Sequence, residues 1–324
     1  MARVFVDGWE HGGIALWDAV VSGANVENAG TYDMDGNYCL YLYLYEYVQK
    51  TISANNEYYF AFLYRPTTSS TNRDVFSVFS GATRLCDIKR DTTTNVLYAR
   101  VGGITKATST SIIVANIVFL IEVYIKIDDT VGRFVVKING ITDIDFTGDT
   151  KPGADTTIDG ARLGYFDYGC NAYFDNFICD NASWIGETKI QAIVPTAAGN
   201  ATNWTPSAGS NYDCVEEKPP SDVDYVSTNT VNLIDTYTTG DLTGTIDEIK
   251  CVQVQARTAF DATPTPLNIN LVARSGGTDY FSGDIAVPAA YKELNYLWEA
   301  DPATAVAWIE AGVNALQIGI KSKA

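Results

Sequence analysis

The chain has 324 residues, which is enough for two domains that each bury a core of their own. It is 46% hydrophobic and contains 20 tyrosines and 13 phenylalanines, a composition typical of β-sheets. The 39 acidic residues outnumber the 22 basic ones, the net charge is −17 and no basic stripe interrupts the sequence, so nucleic acid is not expected as a partner.

The chain begins MARVFVD, without the apolar segment or the cleavage site of a signal peptide. The longest apolar run, residues 112–121, is interrupted by Asn116 and is too short to span a bilayer. We therefore expect a soluble protein made in a cytoplasm, with no membrane insertion.

The first strong element is the run Tyr38–Val48, which alternates with a period of two and predicts one long strand. Its leucines and Val48 lie on one face. The other face carries four candidate ligand-binding residues: Tyr41, Tyr43, Tyr45 and Tyr47. Such a tyrosine row can bind a ligand, or it can pack under loops with its hydroxyls at the rim.

Further short strands follow at the spacing of an all-β sandwich. We predict them at residues 57–65, 74–80, 83–90, 95–101, 117–128, 132–138, 141–146 and 161–168. Asn139-Gly140 is the strongest hairpin signal, because both residues tolerate positive φ. No amphipathic helical period occurs before residue 180.

After residue 180 the chain changes character. Residues 189–194 could form one last strand, and the residues that follow are rich in Pro, Gly, Ala and Asn. We predict a first domain over 1–195, a connector over 196–220 and a second, smaller β-sandwich over 221–324. The second domain is expected to contain one short helix, at residues 305–315.

Little in the sequence indicates catalysis or metal binding. The single histidine, His11, has no catalytic motif around it, and Glu122 and Asp128 are too far apart on one strand to act as a carboxylate pair. Asp33-Met34-Asp35-Gly36-Asn37 resembles the start of a calcium loop, but the pattern is more typical of a turn before a strand. We predict no catalytic residue, no metal site and no cofactor.

Three segments resemble concanavalin A-like (laminin-G-like) jelly-roll domains. They are the closing strand AYFDNFICD at 172–180, the opening FVDGWE at 5–10 and the aromatic strand EYYFAFLYR at 57–65. The resemblance covers about residues 3–195 and implies a jelly-roll sandwich for the first domain.

The segment VPTAAGNATNWTPSAGSNYDCVEEKPPSDVDYV and the run ARSGGTDY at 273–280 resemble structural proteins of tailed bacteriophages. This resemblance implies a non-enzymatic virion structural protein on the particle surface, assembled in the host cytoplasm. Its partners would be other virion proteins and copies of itself in a homo-oligomer. Head, tail and fibre remain open. The alternative is a carbohydrate-binding module that recognises host surface glycans through the jelly-roll domain.

Overall fold

A computed structural model describes residues 3–21, 23–68, 73–260 and 266–324. The chain divides into two compact units. Unit 1 contains residues 1–10 and 17–190, and unit 2 contains residues 11–16 and 191–324. Nearly all regular structure in the described residues is antiparallel β-sheet, which confirms the predicted all-β, jelly-roll-like class.

Unit 1 contains fifteen strands and the 3₁₀ turn Ala29–Tyr32 among its described residues. The strands are β1 Arg3–Asp7, β2 Ala19–Val20, β3 Asn25–Asn28, β4 Tyr38–Leu44, β5 Tyr47–Asn55, β6 Glu57–Pro66, β7 Arg73–Ser80, β8 Thr83–Arg90, β9 Leu97–Val101, β10 Ile104–Thr108, β11 Phe119–Lys126, β12 Gly132–Ile138, β13 Ile141–Gly148, β14 Ile158–Gly164 and β15 Cys170–Asp180. The predicted bounds of β8 and β12 are confirmed, and other strands differ from prediction by a few residues.

Two sheets form the sandwich of unit 1. The eight-stranded sheet has the order β13-β12-β11-β6-β15-β4-β3, with β1 also paired to β15. The seven-stranded sheet has the order β10-β9-β8-β7-β14-β5-β2. Phenylalanine rings fill the space between the sheets: Phe60 contacts Phe76 with ring centroids 4.8 Å apart, and Phe177 contacts Phe62 at 6.3 Å. Each sheet therefore has an inner face in this core and an outer face.

The predicted strand Tyr38–Val48 is wrong in its length, because the chain leaves the eight-stranded sheet after Leu44. Leu44 has φ of 52°, and the backbone N–H of Tyr43 donates to the Glu46 carboxylate at 2.7 Å, so a tight turn forms. The chain re-enters at Tyr47 in the other sheet. The predicted hairpin at Asn139-Gly140 is confirmed: it joins β12 to β13, with φ of 51° and 79°.

Unit 2 contains ten strands, the 3₁₀ turn Tyr212–Cys214 and one α-helix in its described part. They are β16 Pro195–Thr202, β17 Thr205–Pro206, β18 Val226–Ser227, β19 Ile234–Thr239, β20 Val252–Thr258, β21 Asn268–Ser275, β22 Thr278–Phe281, β23 Ile285–Ala286, β24 Lys292–Trp298, α1 Glu310–Asn314 and β25 Gln317–Lys323. The main sheet has the order β16-β19-β25-β21-β22, with β23 beside β21. Its core includes Leu271, Trp298 and Trp308.

The predicted connector is corrected by the pairing of β16. Residues 195–202 form this strand and pair with β19, so they belong to the sheet of unit 2, whereas residues 189–194 form no strand. As an edge strand β16 exposes most of its side chains, so its sequence needs no apolar alternation and looks like a loop. The predicted helix is real but shorter, at Glu310–Asn314.

Candidate functional site

The four predicted tyrosines do not share one face. Tyr41 and Tyr43 lie on β4 in the eight-stranded sheet. Tyr45 lies in the turn after β4, and Tyr47 begins β5 in the seven-stranded sheet. The turn at Leu44 divides the row, so the outer faces of the two sheets are separate candidate surfaces.

The outer face of the eight-stranded sheet carries a tyrosine stack, made of Tyr32, Tyr173, Tyr41 and Tyr43. The ring centroids are 3.9 Å apart for Tyr32 and Tyr173, 4.6 Å for Tyr173 and Tyr41, and 6.4 Å for Tyr41 and Tyr43, with nearly parallel planes. Tyr173 is 7% exposed. Because the rings cover one another's faces, the inner members have no free face on which a ligand could stack.

The outer face of the seven-stranded sheet, here called the charged face, carries a polar row across five strands. The cross-strand register places Gln49 opposite Arg162, Arg162 opposite Ser77, Ser77 opposite Asp87 and Asp87 opposite Arg100. A sheet face that only packed on a core would be apolar at these positions. The row therefore marks the charged face as the better candidate site.

Asp87 is the acid in the middle of this row, and it is 2% exposed. Its Oδ2 accepts from Arg100 Nε at 2.6 Å, and its Oδ1 lies 3.3 Å from Arg84 Nε. Burial raises the pKa of Asp87 to about 6, while the two guanidinium groups oppose that increase. Raised acid pKa values are common at functional sites, although structural ion pairs produce them too.

Residues 165–169, the segment from β14 to β15, form a loop on the charged face. The buried Asp74 fixes its backbone, because Oδ2 accepts from the N–H groups of Phe166, Asp167 and Tyr168 at 2.7, 2.5 and 2.7 Å. Asp167 in turn lies 2.6 Å from Arg84 Nη1. The loop is thus held by both backbone and side-chain contacts.

Arg162 and Lys89 differ from Arg84 and Arg100, because neither forms an ion pair in the described part of the chain. Arg162 donates from Nε and Nη2 to Gln49 Oε1 at 3.0 and 2.7 Å, and its guanidinium lies 3.9 Å from the ring centroid of Tyr47. Lys89 is 7% exposed, with its ammonium 3.6 Å from the ring centroid of Tyr168. Burial lowers the pKa of Arg162.

Two exposed aromatic rings lie at this face: Tyr168 on Lys89, and Tyr45 against Tyr165, whose carbonyl accepts from Arg162. Tyr168 is 45% exposed and Tyr45 is 66% exposed. Tyr45 meets Tyr165 edge to face, with centroids 5.1 Å apart. Unlike Tyr173 inside the stack, these two rings keep open surface, and polar groups lie near them, which is the combination that binds polyhydroxylated ligands.

The remaining candidates lie elsewhere. His11 belongs to unit 2, where its Nε2 is 3.0 Å from Glu293 Oε2. Asp33 ends the 3₁₀ turn with φ of 55°, and Asp35 accepts from Asn176 Nδ2 at 2.8 Å. Within residues 3–21, 23–68, 73–260 and 266–324, no three His, Cys, Asp or Glu side chains are grouped so as to hold a metal ion. No helix among these residues has the length and apolarity needed to cross a membrane.

The charged face is not apparent from the sequence, because its side chains come from strands that are distant along the chain. Arg84 and Lys89 come from β8, Arg100 from β9 and Arg162 from β14. The feature of the sequence that indicates this face is the presence of charged residues inside strands that are otherwise apolar, as in RLCDIKR and ARLG. In a buried strand such residues require a partner or a function.

No protein-family model matches the chain, and no curated protein matches it. Among solved structures, an endo-β-1,4-glucuronan lyase from the fungus Trichoderma reesei is 14% identical, with a TM-score of 0.44 over 56% of this chain and 96% of the lyase. Alginate lyase Aly36B is 15% identical, with a TM-score of 0.42 over 56% of this chain and 98% of the lyase. Trypanosoma rangeli sialidase is 13% identical, with a TM-score of 0.37 over 49% of this chain and 27% of that chain.

These comparisons correct two predictions, namely that the chain is a virion structural protein and that it is not an enzyme. The similar structures are polysaccharide lyases and a sialidase, all of them enzymes by name. The expectation of no enzyme depended on the absence of local motifs. Side chains that converge from separate strands, as on the charged face, leave no such motif in the sequence.

Proposed function

We propose that unit 1 is a carbohydrate-recognition domain and that the charged face, with Tyr45 and Tyr168, is its glycan-binding surface. The observation that carries this proposal is the position of Arg162. Its guanidinium has no acid partner in the described residues, lies on the ring of Tyr47 and is hydrogen-bonded to the Gln49 amide.

This arrangement suits a sugar for two reasons. Sugars present C–H faces that stack on aromatic rings, and Tyr45 and Tyr168 supply exposed rings. Sugars also present hydroxyl and acidic groups that pair with fixed donors such as the Arg162 guanidinium. Because Gln49 and Asp74 hold Arg162 and the loop 165–169 in place, less conformational freedom is lost when a ligand binds.

A matched pair of variants tests the proposal, because Tyr168 and Tyr43 are both 45% exposed but belong to different surfaces, Tyr168 to the loop on the charged face and Tyr43 to the tyrosine stack. We expect Tyr168→Ala to abolish or strongly weaken glycan binding and Tyr43→Ala to leave it unchanged. Affinity electrophoresis through gels that contain neutral or acidic polysaccharides measures glycan binding by both variants, and thermal melting is the control for folding.

Two results would contradict the proposal. If Tyr43→Ala removes binding and Tyr168→Ala does not, the ligand lies on the tyrosine stack instead. If the wild-type protein is retarded by no polysaccharide of the panel, unit 1 is not a carbohydrate-recognition domain of this kind.

A further inference from the structure

Two cations on one face that form no ion pair with any described residue are unusual in a chain whose net charge is −17. Removing a positive charge from water is costly unless an anion or several hydrogen bonds compensate for it. Arg84 and Arg100 have such anions in Asp87 and Asp167. Within the described ranges, the partners of Arg162 and Lys89 are aromatic rings and, for Arg162, neutral oxygen atoms.

The hydrogen bonds of Arg162 leave one edge of its guanidinium group available. Nε and Nη2 both donate to Gln49 Oε1, and Nη1 makes one long bond of 3.4 Å to the carbonyl of Tyr165. Each terminal nitrogen carries two hydrogens, so the edge formed by Nη1 and Nη2 keeps donors that no described residue uses. A carboxylate matches that edge with two parallel hydrogen bonds.

Lys89 lies on the other side of the loop. The register aligns Arg162 with Asp87, two strands away, and Lys89 lies two residues beyond Asp87 on the same strand. The Cα atoms of Arg162 and Lys89 are therefore about 12 Å apart. Both side chains lean against the loop, Arg162 at the carbonyl of Tyr165 and Lys89 under the ring of Tyr168. A ligand that neutralises both must extend along the face.

We propose that the ligand of the charged face is an acidic polysaccharide, whose carboxylate groups occupy Arg162 and Lys89 while its sugar rings lie against Tyr45 and Tyr168. This inference rests on the proposed function and names the class of glycan. The strongly acidic remainder of the chain repels polyanions, so the attraction is confined to these two cations and is screened by salt.

The first experiment changes the ligand and uses the wild-type protein. Polygalacturonate and its fully methyl-esterified form share one backbone but differ in charge. We expect esterification to weaken binding at least tenfold, because each esterified carboxylate loses a charge-assisted hydrogen bond to the protein. Affinity should also increase from the monosaccharide to the hexasaccharide and should fall as salt is added. Dextran sulfate serves as the probe for a general anion site and is expected to bind more weakly than polygalacturonate.

The second experiment changes the protein. Arg162→Gln and Lys89→Gln should each weaken binding to polygalacturonate by about tenfold or more. The affinity of Arg162→Lys should lie between those of the wild-type protein and Arg162→Gln, because lysine keeps the charge but lacks the planar guanidinium group. Arg65→Gln is the matched control, since Arg65 lies over Tyr173 in the eight-stranded sheet and also forms no ion pair in the described residues. It should leave binding unchanged.

The outcomes separate this inference from the proposed function. If Tyr168→Ala removes binding but esterification, Arg162→Gln and Lys89→Gln do not weaken it, the face binds neutral glycans and this inference is wrong. Binding of dextran sulfate as tightly as polygalacturonate would show a general anion site and would overturn the choice of a carboxylate. If no polysaccharide binds, both proposals fail. The ligand series needs no variant, so it decides the question even if Arg162→Gln does not fold.

Discussion

The outer faces of the two sheets in unit 1 use the same residue types in opposite ways. On the eight-stranded sheet, four tyrosines cover one another's rings and Tyr173 is buried. At the charged face, Tyr45 and Tyr168 keep their rings exposed, and Tyr168 lies on Lys89, which forms no ion pair with any described residue. A row of tyrosines in a sequence is therefore not evidence of a binding surface. Exposure alone does not separate the two faces, because Tyr43 and Tyr168 are both 45% exposed; the charges beside the rings do.

The largest expected difference between the faces is in the pH dependence of stability. Asp175, on the eight-stranded sheet, is 1% exposed, its Oδ2 has no hydrogen-bond partner among the described residues, and burial raises its pKa from 3.8 to about 9. Between these two values the native state holds a proton that the unfolded chain has released. The free energy of unfolding therefore falls as the pH rises, by as much as about 1.4 kcal/mol per pH unit from this group. Asp175→Asn should remove that slope, as urea unfolding from pH 4 to pH 9 would show.

Asp87 on the charged face provides the control for this prediction. Its pKa is raised only to about 6, because Arg100 and Arg84 oppose the effect of burial. Asp87→Asn should therefore alter the slope between about pH 4 and 6 and leave it unchanged from pH 7 to 9. Equal pH profiles for the wild-type protein and Asp175→Asn would contradict the difference drawn between the two faces.

The next largest effect concerns the tyrosines themselves. Tyr173→Ala removes a buried ring from the tyrosine stack and should lower the free energy of unfolding by about 3 kcal/mol. Tyr168→Ala removes a ring that is 45% exposed and should cost less than about 1 kcal/mol, while it weakens glycan binding. Chemical denaturation at pH 7 measures both. A larger stability loss for Tyr168→Ala would show that its role is structural.

A smaller and more local effect is expected from the two carboxylates that hold surface segments. Asp74 fixes residues 166–168 on the charged face, whereas Glu10 accepts from the backbone N–H groups of Asn37 and Tyr38. Asp74→Asn should speed hydrogen exchange at 166–168 and weaken glycan binding. Glu10→Gln should speed exchange at residues 37–38 without affecting binding. An unchanged affinity in Asp74→Asn would show that the position of the loop is not needed for recognition.

Patterns local in sequence predicted much of the fold. Alternation placed β8 and β12 correctly, and the positive φ required by Asn139-Gly140 identified a hairpin. The errors arose where tertiary context decides the structure. The strand from Tyr38 continues the alternation past Leu44, yet the chain turns there, and β16 lacks alternation because it is an edge strand. The charged face was not predictable from spacing, since Gln49, Arg162 and Arg100 meet only through strand register.

The central claim is that a glycan binds the charged face and not the tyrosine stack. Hydrogen–deuterium exchange of the wild-type protein, with and without a polygalacturonate hexasaccharide, tests it most directly because no variant is involved. We predict slower exchange at residues 47–49 and 162–169, with no change at residues 38–44 and 171–175. Protection confined to 38–44 and 171–175, or to unit 2, would contradict the claim.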